Sequence, residues 1–233
     1  MIERLEAEGA GEDRQSPGSP VRTLRDLLIH PGRTMAASSR FVDLREGALL
    51  VGLLTVASTT LGVLTAFDLV PVFRQLYEIV VWSSPAEDEI LRDLLTAAFW
   101  LTLVGIPIRW ALVTGVFHSL AKPLGGSASY RTMLGLVGYA STPTLVTTLV
   151  SLLIRIVAFA FSGSLDVEAT VYLNLVFLAL WCVGMVWGSP GLLSYYALRH
   201  GEGLSRGRAL LVTVLGLILL LAAAFGVLIL VSR

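Results

Sequence analysis

Five long apolar stretches carrying almost no charge constrain what this chain can fold into. They run Gly47 to Phe67, Leu94 to Ile108, Thr132 to Ile154, Ala169 to Leu198 and Ala209 to Ser232, and the second resumes after Arg109 and continues to Ala121. A helix rises about 1.5 Å per residue, so about 20 apolar residues cross a hydrocarbon core of roughly 30 Å. The expected fold is all-α: a polytopic bundle of five transmembrane helices, with spans at about 47–67, 94–120, 132–154, 171–198 and 209–232. Residues 47–233 form one membrane domain on this reading. A hydrophobic fraction of 55% and a mean hydropathy of +0.78 place the chain far from the soluble average.

The arginines orient the bundle. Arg4, Arg14, Arg22, Arg25, Arg33, Arg40 and Arg45 precede the first span, Lys122 and Arg131 lie in the second loop, and Arg199, Arg206 and Arg208 in the fourth. The opposite side has only Arg74, Arg92, Arg155 and Arg233. Basic residues resist translocation, so the N-terminus is expected in the cytoplasm and the C-terminus outside, which requires an odd number of spans. Net charge is zero, and nothing in the composition favours nucleic acid. Cys182 is the single cysteine, which leaves no disulfide and no cysteine metal cluster. No cleavable signal sequence is visible, and the first span should serve as the insertion signal.

Residues 1–20 are rich in Gly, Pro, Ser and acids and read as a disordered tail. Residues 21–46 form an amphipathic segment, with Val21, Leu24, Leu27 and Leu28 on one helical face, then Met35, Phe41, Val42 and Leu44. It either lies flat at the interface or packs on the cytoplasmic helix ends. In the first outer loop, Leu69 to Trp82 is too apolar for free solvent. A separate re-entrant or interfacial helix is expected there, with Tyr77 and Trp82 at headgroup level.

Arg109 is the sharpest single residue. It sits near the middle of the second span, two residues after Pro107, and an arginine at helix centre costs about 2.5–3.5 kcal/mol on insertion scales. No acid lies at matching depth, so its partner is neutral, water or a bound anion. Either it forms an anion or lipid-headgroup site or it ties two kinked helices together. Asn174 is one available acceptor, and Arg155 is expected to snorkel outward. Pro107, Pro143 and Pro190 interrupt three successive spans, and Pro143 frees the carbonyl of Tyr139. Broken helices can line transporter sites; otherwise they are packing kinks. Gly184-xxx-Gly188 permits close helix approach, and a homo-oligomer is one use of it.

Enzyme chemistry lacks parts. His30, His118 and His200 show no metal-ligand spacing, and no cofactor motif is present. The hydroxyls lack a placed base, apart from Ser119 beside His118.

The stretch His118 to Pro143, HSLAKPLGGSASYRTMLGLVGYASTP, resembles the second loop and following helix of the Yip family, the Rab/Ypt-interacting five-span membrane proteins. Lys122, Gly125, Gly126, Ser127, Gly138, Tyr139, Ala140 and Pro143 carry the likeness. LLIHPGRTM before the first span and LLSYYALRHGEGLSRGRALLVTVLG at the last loop and span fit its layout. The resemblance implies a helical membrane domain engaged in membrane organisation or vesicle traffic, whose eukaryotic members bind prenylated small GTPases and one another. Arginine-rich, lysine-poor usage points to a prokaryotic member in the plasma membrane.

The Gly-Gly-Ser turn has a physical sense of its own. Its glycines permit φ > 0, and free N–H groups before a helix can hold an anion, with Lys122 and Arg131 flanking. A lipid phosphate or a partner's carboxylate would dock there; otherwise the turn is plain, with Ser127 or Ser129 capping the third span. The expected function is a non-enzymatic scaffold that organises membranes or binds a protein partner through its cytoplasmic loops, surrounded by membrane lipids. The alternative is a small-solute or lipid transport component built around Arg109.

Overall fold

A computed structural model describes residues 25–27, 29–39, 43–80, 86–162 and 167–231. The expected disordered tail, Val21, Leu24, Leu28, Phe41, Val42 and Trp82 lie outside the described residues. The elements are helical throughout: α1 (Pro31–Ser38), α2 (Leu44–Val80), α3 (Glu87–Phe99), a π turn (Trp100–Val104), α4 (Gly105–Ala121), a 3-10 turn (Lys122–Leu124), α5 (Tyr130–Ala140), α6 (Thr142–Ser162), α7 (Val167–Trp187), α8 (Leu192–His200) and α9 (Arg206–Val231). Five helical runs are long and apolar enough to cross a membrane: Leu44–Glu78, Asp88–Leu124, Tyr130–Ala160, Glu168–His200 and Arg206–Ala223. The protein is a multi-pass integral membrane protein.

The prolines account for the interruptions. Pro107 lacks an N–H, and its ring crowds the carbonyl of Leu103; the helix relaxes into a π turn just before it. Pro143 is the second residue of α6, where a missing N–H costs little, and the third span breaks at Ser141. The Tyr139 carbonyl at that break accepts from Thr142 Oγ1 at 2.7 Å. Pro190 follows a cis peptide bond in the turn between α7 and α8.

Hydrophobic burial does not drive helices together in lipid, so close contact and hydrogen bonding must. Where α2 crosses α5, a Cβ on Gly138 would stand 2.7 Å from Gly47 Cα, so the two backbones touch. Farther along, Thr59 Oγ1 lies 2.8 Å from Thr102 Oγ1, joining α2 to the π turn. Gly184 and Gly188 face α6 and Ala140 within the chain, and Thr144 Oγ1 donates to the Gly184 carbonyl at 3.1 Å. Large side chains such as Leu101, Val186 and Phe225 point outward, as lipid contact requires.

The buried residues concentrate at one end of the bundle, around Phe117, Met133, Leu136, Leu193 and Leu198. Leu27 and Met35 are fully buried in that cluster, so the segment before the first span packs against the helix ends, with α1 on α8.

Two expectations change. The apolar stretch from Leu69 to Val80 is not a separate re-entrant helix; α2 simply continues through it, past Pro71. Arg155 does not snorkel: its side chain is 3% exposed, paired with Asp68 and set over the Phe177 ring at 5.3 Å. Because α2 extends, Asp68 stays helical and lies alongside α6, and a lateral carboxylate replaces the headgroup. Removing one partner of a buried pair costs about 3–5 kcal/mol, whereas replacing both with apolar residues is near neutral. Asp68→Leu should therefore lower detergent-solubilised thermal stability sharply, and adding Arg155→Met should recover most of the loss.

Candidate functional site: a clasp between two loops

The end of α4, the Gly-Gly-Ser turn and the loop between α8 and α9 meet around Glu202. Its side chain is 0% exposed. Oε1 accepts from His118 Nδ1 at 2.6 Å, and Oε2 accepts from the Ala128 N–H at 2.9 Å. The Glu202 carbonyl accepts from the Ser127 N–H at 3.2 Å and, more weakly, from Ser127 Oγ at 3.4 Å. A buried carboxylate needs such partners, because leaving it unpaired is among the costliest arrangements available to a chain. The His118 ring also meets the edge of Tyr130, with centroids 5.7 Å apart.

Sequence sets up this geometry locally. Gly125 and Gly203 take φ of 93° and 71°, which other residues resist. A Cβ on Gly126 would stand 2.8 Å from Glu202 Oε2. The Gly125 and Gly126 N–H groups bond back to Lys122 O and Ala121 O at 3.1 and 2.9 Å. Ser129 caps α5, its hydroxyl accepting from the Thr132 N–H at 3.1 Å. The anion held by this turn is the chain's own Glu202, and its N–H groups from Gly125 to Ala128 are already engaged.

Lys122 Nζ donates to Ala128 O at 2.8 Å, and Arg208 Nη1 donates to Leu124 O at 3.0 Å. Both side chains thereby brace the turn while lying exposed. Arg131 is 71% exposed and 3.8 Å from Asp43. Of the residues marked by sequence, Lys122, Gly125, Gly126 and Ser127 come together here, while Arg131, in the first turn of α5, reaches toward Asp43 instead. Arg109 does not. It lies within the second span, where Nη1 contacts Met185 Sδ at 2.6 Å, while Asn174 is turned to Thr170 O.

Glu202 is the residue that sequence reading passed over. Its signal was available: a lone acid between Gly201 and Gly203, in a short loop otherwise basic. Ser119 and His118 are neighbours on one helix, about 100° apart, so they do not face one another. Among the described residues no cluster of metal-ligating side chains occurs.

Glu202→Ala would strand His118 and the Ala128 N–H, at about 1–3 kcal/mol for each buried group left unsatisfied. Hydrogen exchange at 124–130 should then rise well above wild type, with exchange in α7 little changed.

No curated protein and no solved structure matches the chain. The Yip1 domain profile matches residues 25–228, from the segment before the first span almost to the end of the fifth. That range takes in the clasp and all five spans, and the chain belongs to the Yip1-domain family of membrane proteins.

Proposed function

We propose that this protein is a non-catalytic membrane scaffold that docks an acidic segment of a partner protein on its clasp end. The observation that carries the proposal is the sealed Glu202. It welds two loops distant in sequence into one face, around which Lys122, Arg131, Arg206 and Arg208 stay exposed. Interfaces prefer preorganised groups, because less ordering entropy is lost on binding. Clustered exposed cations favour an anionic partner and speed its encounter. With its turn amides engaged internally, this face recognises a partner through side chains.

The arginine asymmetry supports a cytoplasmic placement of the clasp and, with the arginine-rich usage, residence in a prokaryotic plasma membrane. His118 Nδ1 is engaged with Glu202, which supports a structural role for that imidazole.

Orientation is checked first. In a Cys182→Ser background, an impermeant thiol reagent applied to intact cells should label Asp88→Cys and spare Ser127→Cys; the reverse pattern overturns the placement. A photoreactive amino acid at Ser127 should then crosslink a protein in native membranes. Joint charge reversal of Arg131, Arg206 and Arg208 should reduce that adduct several-fold while expression holds. Lipid adducts alone would overturn the docking reading.

A further inference from the structure

Arg109 is an intramembrane cation with little to hold. Its guanidinium has five N–H donors, and among the described residues its only hydrogen-bond partner is the Met185 thioether, a weak acceptor. No carboxylate pairs with it there, in contrast to Arg155. The side chain is only partly buried.

Met185 has a second face. It forms part of the wall of a groove of about 570 Å³, where α7 gives way to α8 beside α9. Pro190, Leu192, Tyr195, Leu210 and Leu217 line the same groove. Two hydroxyls lie in the lining, those of Tyr195 and Thr213, and the Thr213 hydroxyl already donates to Ala209 O at 2.8 Å. Met185 thus separates an apolar groove from an under-used guanidinium. Methionine is unbranched and adaptable, so this barrier is easily displaced.

We infer that the groove binds a single-chain carboxylate amphiphile, a free fatty acid, whose carboxylate displaces Met185 from Arg109. The chain suits the apolar walls, and a carboxylate pairs with a guanidinium through two parallel hydrogen bonds. A phospholipid fits less well. Its phosphate is held at the interface, whereas Arg109 lies 13 residues, about 20 Å of helix, from Lys122 at the basic end. The site is separate from the clasp, and neither requires the other.

The test uses the full chain in phosphatidylcholine nanodiscs and a palmitate analogue with a diazirine in its alkyl chain. Adducts should map by peptide mass spectrometry to the segments around Met185, Leu192 and Leu217. Oleate should displace the probe roughly tenfold more effectively than oleyl alcohol, the factor that 1.4 kcal/mol supplies. Arg109→Gln should lower labelling of those peptides by about the same factor. Leu217→Trp, which fills the groove and leaves Arg109 intact, should lower it too. Equal displacement by acid and alcohol, adducts spread over other faces, or full labelling of a folded Arg109→Gln protein would each overturn the site. Should Arg109→Gln fail to fold, undiminished labelling of folded Leu217→Trp overturns it alone.

Discussion

A carboxylate shut away from water has to be met on both oxygens, and at Glu202 that requirement organises one whole end of the molecule. Oε2 needs the Ala128 N–H, so the turn after α4 must fold back over the last loop. Oε1 needs His118, which fixes the end of the second span against the start of the fifth. Gly126 must lack a side chain for the carboxylate to fit, and Gly125 and Gly203 must turn left-handed to bring the strands of loop together. Beneath this polar lid lies the larger of two clusters of buried residues among the described ones, centred on Phe117, Leu136 and Leu193. Lid and packing support one another: the apolar cluster excludes water from Glu202, and Glu202 holds the helix ends over the cluster.

Elsewhere the bundle relies on contacts suited to lipid. Helices touch through glycine, exchange threonine hydrogen bonds or share an ion pair, as at Gly47 with Gly138, Thr59 with Thr102, and Asp68 with Arg155. The small-residue motif in the fourth span is spent in this way inside the chain. A motif that permits close approach does not say whether the approaching helix belongs to the same molecule.

The five spans were legible in sequence because uncharged runs of that length have few other uses. The breaks near Pro107, Pro143 and Pro190 were legible for a similar reason, since a missing N–H weakens a helix interior, although α2 runs on past Pro71. The Asp68–Arg155 pair was hidden because span ends were placed by charge, and a helix that outruns the hydrocarbon core carries its charged residues with it. Glu202 was hidden because a loop acid is ordinarily solvated; nothing in one sequence reveals that another loop closes over it. The turn glycines were open to two readings, an anion site or a plain turn, and the group their loop meets is a carboxylate of the same chain.

The π turn before Pro107 sets a phase for everything after it. One extra residue in that turn sets the direction of each later side chain back by about 100° relative to an uninterrupted α-helix. With the regular register, Arg109 would point away from Met185, and the surface carrying Val113 and Phe117 would rotate out of the core. The second span is therefore two helices with different azimuths, the first docked on α2 and the second on α5 and α9. A single inserted residue reconciles them, and it gives the arginine its direction.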